Sequence, residues 1–365
     1  MASNLEGYAP GVSISIDGSR NSDLEDAVLG LVVEDVLEGH SMFRLNIFDK
    51  LDQRTLNFKW LDGSLLDPAR GGEVSISINY AERSSAAAKP LFAGYITALT
   101  PSFPSSGEPS LTVEGYDHSY KLQKTGSQKT FAKTNDYSDI VKKIAALSGI
   151  GIGKVDQTGV KPKDSVIIDA EQSDYIYLRK LAERFGYYFF VREKKLYFVD
   201  PASSKQSPIT LKWGKELISF SPRMSAVQVV SGVTVTAYSP QRSGEPIKEE
   251  ANVSDIGFLE TGAKSAADLV KSSILGPAKI SLHSYSVESD QEAKAVAKAI
   301  MIRANNSFIE GSCECMGNPE IRAGSDVKIE GVGTRFEGIY RVKSARHSLG
   351  TEGYTMSLDL ARGGA

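Results

Sequence analysis

The sequence of 365 residues is poor in the residue types that build metal centres and cross-links. It has two cysteines and four histidines, and neither type shows the paired spacing of a zinc site. Cys313 and Cys315 are two residues apart, so in an extended segment their Cα atoms would lie about 6.5 to 7 Å apart, at the upper limit for a disulfide. We therefore interpret them as two small apolar residues on one face of a strand, and we expect no metal and no cofactor.

Long apolar runs and an excess of basic charge are also missing. No apolar run approaches the ~18 residues that a membrane-spanning helix needs. The first residues, Met1 to Glu6, lack the basic and apolar segments of a secretory signal. The formal net charge of −3 argues against nucleic-acid recognition, which normally needs a basic surface. We expect a protein made in the cytoplasm without a signal peptide and without a membrane span.

Motifs for catalysis are equally scarce. No serine has glycine at both the second position before it and the second after it, and no His-Glu-x-x-His occurs. The run from Gly149 to Lys154 looks like a phosphate-binding loop, but it has one residue too few between its glycines, and Val155 replaces the serine or threonine that would hold magnesium. We interpret its glycines as a helix cap and a turn. The sequence predicts no catalytic, cofactor or metal site, and the interface residues stay unassigned.

Acidic and aromatic clusters leave two alternatives open. The carboxylates of Asp23, Glu25 and Asp26, or of Glu34 and Asp35, could serve a glycoside hydrolase if two of them met in a cleft. Acidic residues in short strands and turns more commonly form a solvated surface. An aromatic cluster could stack on sugars, although the packing of a small α+β core explains it more simply. Its members are Tyr175, Tyr177, Phe185, Tyr187 to Phe190, Tyr197 and Phe198.

The clearest positive feature is an internal repeat between the stretches Pro68 to Tyr116 and Asn318 to Leu360. In each, a glycine turn precedes an alternating strand, a Phe-x-Gly opens the next strand, and a third strand follows. The Phe-x-Gly glycine stands 17 positions before the third strand in the first copy and 18 in the second. A cyclic trimer of a chain with two equivalent modules would show quasi-sixfold symmetry. The paired landmarks are Val74-Ser75-Ile76 with Val327-Lys328-Ile329, Gly94 with Gly338, and Leu111 with Met356.

The expected fold class is α+β and mainly β, with two related β-barrel modules of the tube type and an inserted α+β region. Helices are expected after Asp136 and Ser173, the second leading into an aromatic hairpin, and Ser289-x-x-Glu292 is a capping box. A strand at 224–238 is expected to begin the second module. The expected domains are a first β-barrel module at 1–120, an inserted region at 121–215 and 240–306, and a second β-barrel module at 216–239 and 307–365.

Two segments resemble a known family. The segment from Glu171 to Gly186, which runs into the aromatic hairpin, is similar to the late control D proteins of contractile phages and to the amino-terminal part of the VgrG proteins of type VI secretion. The carboxyl-terminal part, with Gly317 to Gly324, Gly338 to Val342 and then His347, resembles the closing module of that family. The matches span roughly 135–362, and the first 120 residues agree in plan only.

The resemblance implies a structural baseplate hub and not an enzyme. Family members are trimers whose two β-barrels per chain form a quasi-sixfold ring, which joins a hexameric inner tube protein to a trimeric spike among other baseplate proteins. Unlike VgrG, this sequence stops at Ala365 without a spike domain, so the resemblance implies a separate trimeric spike protein. Such a hub assembles into a phage tail, a secretion system or an extracellular injector. A tail-associated cell-wall hydrolase and a sugar-binding adhesin are the alternatives.

Overall fold

The computed structural model describes residues 10–80, 89–124, 126–133, 135–203, 207–238, 245–257, 264–271, 273–274, 276–283, 286–351 and 353–364. The helices in these ranges are α1 (Ser22–Asp26), α2 (Tyr137–Leu147), α3 (Asp174–Phe185), α4 (Ala266–Val270) and α5 (Asp290–Asn306). The strands are β1 (Pro10–Ile16), β2 (Ser19–Arg20), β3 (Val28–Val36), β4 (Met42–Phe48), β5 (Leu51–Asp52), β6 (Asn57–Phe58), β7 (Glu73–Tyr80), β8 (Lys89–Ser102), β9 (Ser110–Asp117), β10 (Lys129–Phe131), β11 (Gly151–Val155), β12 (Val166–Ile168), β13 (Tyr188–Arg192), β14 (Lys195–Val199), β15 (Ile209–Lys212), β16 (Leu217–Met224), β17 (Val230–Ala237), β18 (Ile247–Asn252), β19 (Ala278–His283), β20 (Ile309–Met316), β21 (Asp326–Glu330), β22 (Gly338–Gly350) and β23 (Gly353–Arg362).

One sheet of 13 strands runs through both halves of the chain. Its strand order is β16-β20-β23-β22-β3-β4-β9-β8-β7-β1-β2, and β21 joins β15 to β22. The pairings along this path are antiparallel, whereas β15 lies parallel to β21. The expected fold class, α+β and mainly β, is confirmed.

Two sets of six strands in this sheet have the same order in the chain and in space. The first module consists of β1, β3, β4, β7, β8 and β9, which lie side by side as β3-β4-β9-β8-β7-β1. The second module consists of β15, β16, β20, β21, β22 and β23, which lie as β16-β20-β23-β22-β21-β15. Only the last strand differs, because β1 is antiparallel to β7 and β15 is parallel to β21. The repeat seen in the sequence therefore corresponds to a repeated strand topology.

The registers of the two modules coincide down to their β-bulges. In β3 the extra residue opposite β4 is Leu29, and in β16 the extra residue opposite β20 is Ile218. In β8 the extra residue opposite β9 is Thr97, and in β22 the one opposite β23 is Lys343. A bulge bends and twists its strand at a defined point. Two bulges at matching points show that the modules share one backbone design, which chance alternation of apolar residues would not produce.

One landmark of the sequence repeat is shifted by two residues. The sequence matched Gly94 with Gly338, but the pairing with β7 and β21 makes Gly94 equivalent to Tyr340. A side chain at either position would clash with a neighbouring residue, but the clashing atoms differ. A Cβ on Gly94 would lie 2.1 Å from the carbonyl oxygen of Tyr116, and one on Gly338 would lie 2.5 Å from the guanidinium carbon of Arg362.

Each module buries one face of its strands in its own hydrophobic core. Cys313 and Cys315 are free thiols and both are buried. They pair with β23 at the positions where Leu45 and Ile47 of the first module pair with β9. The interpretation of the cysteines as small buried apolar residues on one strand face is confirmed.

The expected start of the second module at 224–238 is wrong. Strand β16 already ends at Met224, and β17 belongs to a separate sheet of order β18-β17-β19 that packs against α5. Val233 and Val235 are buried there with Val296. Alternation predicted a strand correctly, but it carries no information about the partner strand. The expected boundary at 215 is also wrong, because β15 pairs with β21 of the second module.

The inserted region has a core formed by α2, α3 and strands β10 to β14. Asp136 and Ser173 cap α2 and α3 as expected, since their side-chain oxygens accept the N–H groups of Ser138 and Ile176. The aromatic cluster forms much of the core itself, and its buried members are Tyr175, Phe185, Phe189 and Phe198.

The glycine-rich run after α2 is only in part a helix cap and turn. Gly149 adopts a positive φ of 66° just after Ser148, the residue that caps the helix end, as is common for glycine at that position. Gly151 and Gly153 do not form a turn, because they lie in β11, parallel to β14. Gly153 is required there, since a Cβ would lie 2.4 Å from the ring of Tyr197.

The capping box of α5 is present in a modified form. Ser289 Oγ accepts the N–H of Glu292 at 3.1 Å, but the Glu292 carboxylate accepts the N–H of Glu288, at 2.8 Å, and not that of Ser289. The same carboxylate accepts from Nε of Arg184 on α3 at 2.8 Å. Glu292 is 2% exposed, so this ion pair ties the two long helices of the inserted region together in a buried place.

Replacing Glu292 by alanine leaves Arg184 without its partner and one backbone donor without an acceptor. We expect Glu292→Ala to lower the free energy of unfolding by about 3 to 5 kcal/mol, the cost of breaking a buried ion pair. Gln291→Ala, an exposed neighbour on the same helix, should change it by less than about 0.5 kcal/mol. Urea unfolding of both variants measures the difference, and equal effects would contradict the role assigned to Glu292.

Candidate interaction surface

Eight consecutive strands, β16-β20-β23-β22-β3-β4-β9-β8, form an unbroken run across both modules. Their side chains alternate between the cores and the opposite side, as the pleat of a sheet requires. We call the opposite side the polar face. Its residues are Ser219, Ser221 and Arg223 on β16, Glu310, Ser312 and Glu314 on β20, Thr355, Ser357 and Asp359 on β23, Ser344, Arg346 and Ser348 on β22, Val32 and Glu34 on β3, Arg44 and Asn46 on β4, Thr112, Glu114 and Tyr116 on β9, and Ala98, Thr100 and Ser102 on β8.

Cross-strand contacts order the side chains of the polar face. In the first module Arg44 Nε lies 2.6 Å from Glu114 Oε1. In the second module Ser344 Oγ donates to Asp359 Oδ2 at 2.8 Å. Glu114 and Asp359 occupy equivalent positions, so both modules present a carboxylate at the same point. The polar face therefore repeats part of its chemistry from one module to the next.

The two modules meet where β22 pairs with β3. Residues 344–349 of β22 lie opposite residues 31–36 of β3 in antiparallel register. Arg346 and Glu34 are opposite one another on the polar face, an arrangement of unlike charges that stabilises a sheet by roughly 0.2 to 1 kcal/mol. We call this pairing the in-chain junction.

Asp35 lies under the in-chain junction and is 3% exposed. Its Oδ2 accepts from Arg322 Nε at 2.6 Å and from Arg192 Nη2 at 2.9 Å. Burial alone would raise the pKa of Asp35, but the charges of Arg322 and Arg192 outweigh it and hold the pKa below its ordinary value. One carboxylate thus connects β3 of the first module, β13 of the inserted region and the turn before β21 of the second module.

The carboxylates considered for glycoside hydrolysis do not form a catalytic pair. Asp35 is charged and fully engaged, and Glu34 points to the opposite side of β3. Glu25 accepts from Arg20 and from the N–H of Ile14, and the hydrogen bond from Arg20 lowers its pKa. A general acid needs a raised pKa and a second carboxylate across a cleft. Neither cluster provides that arrangement.

The structure also assembles a cluster that the sequence did not indicate. Ser119 Oγ donates to the carboxylate of Asp117 and lies 2.5 Å from Nδ1 of His40. The His40 ring stacks on Tyr175 with 4.1 Å between centroids. In a Ser-His-Asp relay the imidazole lies between the hydroxyl and the carboxylate. Here the hydroxyl lies in the middle and is buried, so the cluster connects the loop between β3 and β4 with β9 and α3 and does not activate a nucleophile.

Asp117 is the titrating member of this cluster. Burial raises its pKa to about 6, although hydrogen bonds from Ser119 and Ser41 act in the opposite direction. His40, in contrast, has a pKa lowered by burial. The sequence offers no signal for the cluster, because His40 and Ser119 are 79 positions apart and meet only through the pairing of β4 with β9.

A groove of about 870 Å³ lies between the inserted region and the second module, and residues 36–39 of the first module also line it. Its walls carry Arg179, Arg303 and Arg223 together with Glu183 and Glu310, so it has no single sign of charge. In the described ranges, no cluster of three or more histidine, cysteine or acidic residues is arranged to hold a metal ion. No helix of those same ranges has both the length and the apolar character needed to cross a membrane.

Removing the Asp35 carboxylate leaves Arg192 and Arg322 buried without their partner. We expect Asp35→Ala to lower the free energy of unfolding by about 3 to 5 kcal/mol. The matched control is Glu34→Ala, the neighbouring residue on the polar face, which should cost less than about 1 kcal/mol. Chemical denaturation of the two variants provides the test, and similar losses would show that the buried ion pairs do not hold the modules together.

The raised pKa of Asp117 predicts a pH dependence of stability. Its carboxyl binds a proton more tightly in the folded chain, so stability from this group is greatest near pH 4 and falls as the pH rises towards about 6. Asp117→Asn should remove this decline, which amounts to about 3 kcal/mol at roughly 1.4 kcal/mol per pKa unit. Thermal unfolding between pH 4 and 7 measures it. Glu38→Gln, an exposed control, should keep the wild-type slope.

Solved structures with a similar fold include proteins of tails and of a secretion system. The 43 kDa tail protein of prophage MuSo2 from Shewanella oneidensis has a TM-score of 0.67 and 14% identity, over 97% of this chain and 98% of that chain. A tail protein of Neisseria meningitidis MC58 has a TM-score of 0.65 and 13% identity, over 97% of both chains. The E. coli c3393 protein, described as a type VI secretion component with structural similarity to the T4 tail proteins gp27 and gp5, has a TM-score of 0.59 and 12% identity, over 96% of this chain and 76% of that chain.

These likenesses confirm, at the level of the fold, the resemblance to tail and secretion proteins. No curated protein sequence matches the chain. The family model that matches is not late control D but the one described as the Alg8 N-terminal domain, which covers residues 6–351. The chain, with a fold shared by phage tail and type VI secretion proteins, therefore belongs to the Alg8 N-terminal domain family.

Proposed function

We propose that the protein is the structural hub of a contractile injection machine. In this proposal three chains form a ring with quasi-sixfold symmetry, which adapts a hexameric inner tube protein to a separate trimeric spike protein. The observation that carries the proposal is the repeated module, with the same strand order, registers and bulges in both copies. The likeness to tail and secretion proteins supports the proposal through the shared fold.

The repeat supplies what a symmetry adaptor needs. Three copies of a chain with two equivalent modules present six similar surfaces to one neighbour. The differences between the first and the second module recur only three times around the ring. Leu29 and Ile218, the equivalent bulge residues, are 54% and 52% exposed and both apolar. Apolar contacts repeated at such points suit a hexameric tube, because each tube subunit would meet the same chemistry.

The polar face suits the wall of a hydrated channel. In a closed ring the eight strands of each chain would place their serine, threonine and charged side chains on one continuous surface. Opposed charges such as Arg44 and Glu114 neutralise each other on that surface. The inserted region, at 121–208 and 225–308 by the observed pairing, would lie outside the ring and is the place for other baseplate proteins to bind.

A structural role also accounts for the residues considered for catalysis. Glu25 and Asp35, two of the carboxylates considered for glycoside hydrolysis, accept hydrogen bonds from arginines and backbone groups. Most of the aromatic cluster is in the core of the inserted region. A tail-associated cell-wall hydrolase therefore has no specific observation in its favour, and the same holds for a sugar-binding adhesin. Within this proposal the protein assembles into a phage tail or a tail-like particle.

Light scattering tests the proposed ring directly. We expect a particle with three times the 39.4 kDa mass of one chain, and electron microscopy should show a ring with six lobes of two alternating kinds. Added tube protein should bind to one side of the ring. A chain that stays monomeric both alone and with tube and spike proteins would overturn the proposal, as would cell-wall cleavage by the purified protein.

A further inference from the structure

Two strand edges of the eight-stranded run have no partner within the described residues. Strand β16 pairs with β20 only, and its other edge is open along residues 219–224. On β8, the residues from Ala98 to Ser102 pair with β9 only, since the pairing with β7 ends before them. These edges lie at opposite ends of the run, so they cannot reach each other within one chain.

Both open edges carry apolar side chains on the side of the cores. On and directly after β8 these are Leu99, Pro101 and Phe103, and on β16 they are Phe220, Pro222 and Met224. Phe103 is 59% exposed. An edge strand that is meant to stay free usually presents charges on this side. Two complementary apolar rows therefore indicate that each edge is covered in the assembled protein.

The in-chain junction shows what covers such an edge. Strand β22 is the equivalent of β8, and β3 is the equivalent of β16. At the junction, the second half of β22 pairs with the second half of β3. The same contact between the equivalent strands requires β8 of one chain and β16 of another. The pairing of β22 with β3 within the chain therefore shows how β8 and β16 of two chains could pair.

We propose that β8 of each chain adds in antiparallel fashion to β16 of a second copy, in the register of the in-chain junction. Transfer of that register places Leu99 opposite Met224, Thr100 opposite Arg223, and Phe103 opposite Phe220. The equivalents of these pairs within the chain are Ala345 with Asp35, Arg346 with Glu34, and Leu349 with Leu31. This inference rests on the proposed ring and specifies the surface that closes it.

Two prolines fall opposite one another in this register. Ser225 donates its N–H to Phe308, so by alternation the nitrogen of Pro222 faces the open edge. Pro101 is the equivalent of His347, which faces β3 at the in-chain junction. The ladder then loses the two hydrogen bonds of one pair, and no backbone N–H is left without an acceptor.

The proline pair explains how the edges stay specific. Proline on an edge strand disfavours the addition of unrelated strands, because one donor of the ladder is missing. The hydrogen-bonded pairs on either side, Leu99 with Met224 and Phe103 with Phe220, keep their backbone donors. Their apolar side chains then supply the remaining stabilisation by burial. Only a partner with matching apolar positions gains from this contact.

Cysteine cross-linking of the assembled protein tests the register. Thr100 and Arg223 face the polar side, and in the proposed register they form a pair without mutual hydrogen bonds, where Cα atoms are about 4.5 Å apart and suit a disulfide. We expect the double variant Thr100→Cys, Arg223→Cys to give covalent trimers after oxidation, seen on non-reducing gels. The native Cys313 and Cys315 are buried and provide little background.

Two controls make the result specific. Glu34→Cys with Arg346→Cys, the equivalent pair of the in-chain junction, should form a disulfide within one chain and no cross-linked oligomer. Thr100→Cys with Ser219→Cys, which is four residues out of register and so about 13 Å away, should not cross-link.

The outcomes separate this inference from the proposed function. A trimer by light scattering without Thr100–Arg223 cross-links overturns the strand pairing and leaves the hub intact. Cross-linking through Ser219 at the same yield overturns the register. A protein that is monomeric alone and with its tube and spike proteins overturns the hub, and the pairing with it.

Discussion

The structure depends on the antiparallel pairing of β22 with β3, because this contact turns two modules into one sheet. The backbone ladder fixes the register, and the buried Asp35 carboxylate fixes what lies beneath it by binding Arg322 and Arg192 at once. A buried ion pair adds little net stability by itself, but it penalises every arrangement that leaves one of its charges unpaired. This strand contact and this carboxylate therefore help to set the position of the second module and of the inserted region relative to the first, together with the stacking of His40 on Tyr175.

The composition of the polar face follows from the pairing of β22 with β3. Joining the modules edge to edge aligns their polar sides into one face, and the alternation of the strands sends most large apolar residues to the opposite side. It also leaves the two outer edges of the run equivalent to the two edges that meet at the junction. The polar face is thus a property of sheet geometry.

Much of this could be read from the sequence. Alternation and glycine turns identified the strands of the first module and β20 to β23 of the second, but not β15 or β16. The caps at Asp136, Ser173 and Ser289 identified the three longest helices. The sequence could not show which strand pairs with which, so β17 was placed in the wrong sheet. Nor could it show the cluster of Asp117, because its contacts join residues distant in the chain. Local patterns encode the elements, whereas partners and buried charges depend on contacts that only the folded chain defines.

The turns that connect the equivalent hairpins differ greatly in length. The turn between β3 and β4 takes residues 37–41, whereas the matching connection between β16 and β20 takes residues 225–308, yet both ladders keep the same register. Because a long insertion between these two strands leaves their register unchanged, the hairpin tolerates an inserted domain. The short loop at 37–41 is thus the equivalent place where a foreign domain could be installed, giving an engineered chain that carries a second insertion in the same sheet.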